Sequence, residues 1–173
     1  MDYDTPATGI VNADNKSMRF GNYGVKIGNV KGGTDETSYI GGKWNTQQCL
    51  SNATKQDPYI CNGITNASGI GYCAPACCCV AYSTLGTKPG DWYLPSVGEL
   101  YQIYANNAVN EKRKTLVGSI FKYTGYWSCR EINSGSRYDS LYEYNVSFYT
   151  GKINNNIYKE SYCQVLAFLA VEV

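Results

Sequence analysis

Ser96 and Glu99 stand three residues apart in GDWYLPSVGELYQIYANNAVN, directly ahead of Leu100, Ile103 and Tyr104. Ser-x-x-Glu before an apolar run at helical spacing is the signature of a capping box, in which the Ser hydroxyl accepts a backbone N–H of the first turn and the Glu carboxylate reaches back to the Ser N–H. No other stretch restricts the fold of this chain as tightly. It sets a helix start at Val97, and Trp92 and Leu94, alternating with Tyr93, anchor the chain against a core just before it. Glu99 is read as a cap and not as a catalytic acid.

Weaker signals fill in the rest of the 173 residues, which are expected to form one domain, 1–173, with a core of its own. Residues 1–44 are rich in Gly and Asn, with a short strand pattern in GVKIGNV (Gly24 to Val30). WNTQQCLSNATK (Trp44 to Lys55) reads as a short helix capped by Asn45 or Thr46, followed by loop. APACCCVAYSTLG (Ala74 to Gly86) has Pro75 near a helix start and Gly86 where a C-cap belongs. Asn110 to Val117 allows a further helical turn or two, and the chain beyond reads as strands and loops, closing on VLAFLAVEV as a buried strand.

Composition excludes several functions. With 15 basic and 14 acidic residues there is no electrostatic bias toward nucleic acid or an anionic membrane, and no apolar run reaches the roughly 18 residues of a spanning helix. The N-terminus, MDYDTPATGIVNADNK, lacks the basic and apolar regions of a signal peptide. Histidine is absent, which removes the usual general base and the Ser/His and Cys/His nucleophile pairs. Eight cysteines, an even number, favour one or two disulfides over an all-thiol chain. Adjacent helical residues diverge by about 100°, so Cys77, Cys78 and Cys79 cannot share one tetrahedral metal, and no metal or cofactor is expected.

YNVSFYTGKINNNIYKE (Tyr144 to Glu160) alternates like a strand. Val146, Phe148 and Ile153 suit a core face, leaving Asn145, Ser147 and Tyr149 as an outward row. Lys, Glu and Thr would serve mere solubility better. Across Tyr126 to Gln164, 20 of 39 residues are Tyr, Ser, Asn or Gly, the four types that dominate antibody paratopes, so this surface is read as one for recognition.

Taken in order, WYLPSVGELYQIY (Trp92 to Tyr104), YWSCRE (Tyr126 to Glu131), YNVSFYTGKINNN (Tyr144 to Asn156) and VLAF (Val165 to Phe168) resemble bacterial and phage proteins with a C-type-lectin fold of the formylglycine-generating-enzyme type. Within that group the resemblance is to the variable proteins of diversity-generating retroelements, and it covers roughly residues 40–173. Trp127, Ser128, Glu131, Val146, Phe148, Gly151, Ile153, Val165, Leu166, Ala167 and Phe168 keep the family skeleton. Cys129 stands for a Ser, Tyr144 for a Trp and Cys163 for an Arg. Loss of the Arg calls into question a buried ion pair at that place, and Cys129 and Cys163 become candidates to bridge each other.

The resemblance implies an α+β, C-type-lectin-like fold, loop-rich, with two main helices near residues 75–84 and 97–106 packed on a twisted, mostly antiparallel sheet. It further implies a non-catalytic adhesin or receptor-binding module whose segment 126–164 is rewritten by mutagenesis of adenines in AAY codons. Such codons never yield Lys, Glu, Gln, Met or Trp, so Trp127, Glu131, Lys152, Lys159 and Glu160 are expected outside the diversified set. Inside it are placed Ile132, Ser136, Arg137, Tyr138, Tyr142, Asn145, Ser147, Tyr149, Asn154, Asn156 and Tyr158. The expected partner is a protein or glycan on another cell surface, met from a cell surface, pilus tip or phage tail. A fixed structural or adhesive domain of the same fold is the alternative. An oxidase like the formylglycine-forming members is a weaker one, since no residue pair here matches their active-site cysteines, and the Glu-Pro-Asn, Gln-Pro-Asp and Trp-Asn-Asp triplets of calcium-dependent lectins do not occur.

Overall fold

The computed structural model describes residues 18–21, 24, 26–27, 41–52, 73–83, 85–105, 125–132, 134 and 136–169. The expected helical turn at 110–117, most of GVKIGNV and the last four residues lie outside them. The described part is α+β. Its elements run β1 (Met18–Arg19), α1 (Gly42–Asn52), α2 (Ala74–Ala81), β2 (Trp92–Tyr93), α3 (Val97–Ala105), β3 (Gly125–Glu131), a 3₁₀ turn (Asp139–Leu141), β4 (Tyr142–Ser147), β5 (Ile153–Tyr158), β6 (Tyr162–Cys163) and β7 (Phe168–Leu169). β3, β4 and β5 form an antiparallel sheet in that order, while β1 pairs with β6 and β2 with β7, also antiparallel.

The capping box forms as read: Ser96 N–H donates to Glu99 Oε2 at 2.7 Å and Glu99 N–H to Ser96 Oγ at 3.3 Å. Tyr93 adds a hydroxyl donated to Glu99 Oε1 at 3.0 Å. Gly42, at the start of α1, makes this close approach possible, because a Cβ there would collide with Glu99 Oε2 and with the Ser96 nitrogen. Burial raises the Glu99 carboxyl above its usual range, although Ser96, Tyr93 and Gly42 all hydrogen-bond the charged form. A carboxyl with a raised folded pKa contributes stability that is present below its unfolded pKa and lost as pH rises through the folded one. Glu99→Gln keeps an acceptor for Ser96 N–H and can donate to the Tyr93 oxygen. Its stability relative to wild type, read from urea midpoints, should therefore be higher at pH 7 than at pH 4; an equal difference at both would show that Glu99 carries no such linkage.

Two helix boundaries differ from expectation. α1 starts at Gly42, so Asn45 and Thr46 lie inside it and are fully buried, where neither can cap. Thr46 Oγ1 instead accepts from Leu94 N–H and donates to Leu94 O, both at 3.0 Å, fastening α1 to the strand before α3. α2 ends at Ala81 with Tyr82 as C-cap, and Gly86 lies beyond it in a turn at φ 86°. Pro75 does sit in its first turn.

Alternation along the strands distributes side chains between two cores. Trp127, Cys129, Val165, Ala167, Trp92 and Leu94 enter one, with Phe20, Ile27, Cys49, Cys73, Cys78 and Cys79; Tyr126, Tyr144, Val146, Phe148, Leu166, Phe168 and Tyr93 enter the other, with Val97 and Leu100 of α3. The expected burial of Val146, Phe148, Trp127, Leu166 and Phe168 is observed. VLAFLAVEV is only in part a strand: Val165 to Ala167 are buried without strand pairing and β7 begins at Phe168. The seven described cysteines stand as thiols, so the anticipated bridge between Cys129 and Cys163 is not made. Cys129 Sγ donates to Gly42 O at 3.5 Å, and Cys163 Sγ accepts from the Asn145 amide at 3.2 Å.

Candidate functional site

Tyr144 to Glu160 is a hairpin and not one strand. β4 stops at Ser147, residues 148–150 turn, and Gly151 at φ 72° brings the chain back so that Ile153 pairs with Val146. No side chain fits at Gly151, where a Cβ would strike the Tyr104 ring. β5 is the outer strand of the sheet among the described residues, and Asn155, Asn156 and Tyr158 on it are exposed.

Asn145 requires a correction. It is 5 % exposed, not part of an outward row, because the face of β4 that carries it is covered by the first core. Its register partner is Trp127. Its amide donates to Cys163 Sγ, and its Oδ1 accepts the Asn154 amide at 2.8 Å. A polar side chain on a covered face is tolerated when its groups are bonded, and these are. Asn145 therefore belongs to the framework.

The remaining candidates fall into two groups. At the open end of the hairpin, Ser136, Arg137 and Tyr138 are exposed on a loop that Asp139 organises from within: Asp139 is buried and accepts from Ser134 Oγ at 2.6 Å. Arg137 lies over the Tyr138 ring, 4.7 Å from its centroid, and also donates to the Tyr138 hydroxyl. One 3₁₀ turn later Tyr142 packs on Tyr158 across the strands, with ring centroids 4.5 Å apart. At the other end are Ser147, half-buried, and Tyr149, 67 % exposed. The length of β5, roughly 17 Å for its residues, separates the groups. Asn154 is half-buried beneath Asn145, and Ile132 is half-buried against the α3 core. Neither is a prominent surface contact.

Three exposed residues of the same chemistry, Ser134, Asn155 and Tyr162, escaped the reading. Asn155 completes the asparagine run on the outer strand, and Tyr162, 56 % exposed, lies under Arg19 with the guanidinium 5.1 Å from its ring centroid. The run itself pointed to Asn155. Nothing local marked the pairing of β1 with β6 that brings Arg19 to Tyr162.

Beneath the open end lies a fully buried ion pair. Lys159 Nζ and Glu131 Oε1 are 2.6 Å apart, both side chains at 0 % exposure, and Ile27 N–H donates to both Glu131 oxygens at 3.0 and 2.8 Å. Lys159 N–H also donates to Leu141 O, tying the end of β5 to the 3₁₀ turn. Trp127, likewise fully buried, donates its indole N–H to Met18 O at 2.8 Å. No family model, curated protein or solved structure matches this chain.

Proposed function

We propose that this chain is a non-catalytic ligand-binding module of the C-type-lectin-like class, displayed outside the cell on a cell surface, pilus or virion, whose Tyr/Ser/Asn-rich surface is diversified through AAY codons. One observation carries the reading. Across β3, the loop that follows it and the β4–β5 hairpin, Trp127, Glu131 and Lys159, which such codons cannot produce, are fully buried supports, whereas Ser136, Arg137, Tyr138, Tyr149, Asn156 and Tyr158 are exposed. Lys152 and Glu160, also outside the codon set, are exposed as well, so exposure alone does not define the variable set. Tyrosine supplies rigid amphipathic area, Arg137 a cation, and Asn and Ser adaptable hydrogen bonds, the combination that lets one scaffold meet many protein or glycan surfaces.

The test separates binding from stability. Ligands are first found by screening the intact chain on protein and glycan arrays. Arg137, Tyr138, Tyr149, Asn156 and Tyr158 are then replaced together by other AAY products. Binding should be lost or redirected while the melting temperature moves little, because exposed substitutions usually stay within about 0.5 kcal/mol each. Unchanged affinity, or cooperative unfolding at a much lower temperature, would favour a fixed structural domain. A neighbouring template repeat differing only at adenines would independently support diversification.

A further inference from the structure

Ile157 of β5 packs against the first core, and Asn154, three residues earlier, bonds Asn145 on the same side of the sheet. Strict alternation would put residues three apart on opposite sides. The register accounts for the difference: Glu143 pairs with Ile157 and Asn145 with Asn154, so Tyr144 alone stands opposite both Asn155 and Asn156. This is a β-bulge, and it turns two consecutive amide side chains to the other side of the sheet, where both are exposed. Among the described residues neither side-chain amide is hydrogen-bonded. Tyr142 and Tyr158 continue the same side, paired across the strands with ring centroids 4.5 Å apart and Tyr158 47 % exposed. α3 covers this side only further along, where Val97 and Leu100 pack with Val146 and Phe148. Arg130, half-buried, lies over the Tyr144 ring 5.1 Å from its centroid.

We propose that Asn155, Asn156, Tyr142 and Tyr158 form a subsite for a neutral saccharide. The inference rests on the ligand-binding reading above and names the class of ligand. A pyranose ring presents an apolar C–H face that stacks on an exposed aromatic ring, as Tyr158 backed by Tyr142 provides. Its edge presents neighbouring hydroxyls, each both donor and acceptor. An asparagine amide offers two N–H donors and one carbonyl acceptor, so two adjacent amides match such a pair of hydroxyls. None of the four side chains carries a formal charge, which suits an uncharged sugar. A protein partner of ordinary interface size covers about 800 Å² and 20 to 30 residues on each side, far more than these four side chains between α3 and the sheet edge, whereas one or two sugar rings fill such an area. The bulge is what gives the subsite its second amide, since a regular strand would turn one of the two toward the first core.

The test is saturation-transfer difference NMR on the intact chain with the methyl glycosides of glucose, galactose and mannose and with N-acetylglucosamine, all at millimolar concentration, beside the melting temperature of each variant. At least one of these sugars should receive saturation from the wild-type protein. Tyr158→Ala should weaken its binding about tenfold, and Asn155→Ala combined with Asn156→Ala by a similar factor, with little change in melting temperature at exposed positions. Tyr158→Phe keeps the ring and should retain most of the binding. If Tyr158→Ala unfolds because Tyr142 loses its neighbour, the asparagine double variant, whose side chains support no core residue, decides the matter. No saturation of any of these sugars would overturn the saccharide subsite, as would binding that the asparagine double variant leaves unchanged. The two readings fail separately: a protein ligand from the arrays that is lost in the multiple variant described above sustains ligand binding while removing the sugar, and silence in both experiments removes both.

Discussion

Lys159→Met should destabilise the protein by about 3 to 5 kcal/mol, the cost of leaving one member of a buried ion pair without its counter-charge. Glu131 would keep the Ile27 N–H as a hydrogen-bond donor, but that dipole does not neutralise a carboxylate at 0 % exposure. The double variant Glu131→Gln, Lys159→Met removes both charges and retains an acceptor for Ile27, so it should recover most of the loss. Urea midpoints for wild type, single and double variants measure both effects. A single variant within about 1 kcal/mol of wild type would mean that water reaches the pair and that it does not support the surface above it. The pair bears on the proposed function because Lys159 fixes the end of β5 to Leu141, and with it the Tyr142 and Tyr158 rings.

Phe148→Ala should cost about 3 to 5 kcal/mol, whereas Tyr149→Ala beside it should stay within about 0.5 kcal/mol. Phe148 is 4 % exposed although it sits in a turn, and its ring packs 4.6 Å from Tyr126 and 6.1 Å from Tyr104. Removing it opens a cavity between the hairpin and α3, an element anchored by its own capping box and unable to collapse freely. Tyr149 projects into solvent. Denaturant melts of the two variants provide the comparison, and a Tyr149→Ala loss as large as that of Phe148→Ala would place the turn in the opposite orientation. Under the proposed function, the same pair separates framework from ligand surface, since Tyr149→Ala is the substitution expected to affect binding.

α3 was legible because its signal is local. A capping box closes within four residues, and the hydrogen bonds that make it are those the sequence names. Pro75 at the start of α2 is local in the same sense. Where α2 ends was not legible: Gly86 suits a C-cap, yet the helix stops at Ala81, followed by Tyr82 in extended conformation. The start of α1 also depended on distant partners, since Gly42 abuts the α3 cap and Thr46 bonds Leu94.

Period-two alternation from Tyr144 onward determined which residues share a side of the strand, and Val146 and Phe148 are buried accordingly. It could not determine how many sides are covered. Tertiary structure decided that, placing the first core, with its β1, α1 and α2 residues, against the Trp127 face, so that Asn145 is enclosed and bonded to Cys163 and Asn154. The physical reason is the reach of the forces involved. Caps, turns and periodicity are set by neighbours a few residues away, while the burial of Asn145, the Glu131–Lys159 pair 28 residues apart and the junction of Trp127 with Met18 109 residues away exist only once distant segments exclude water together.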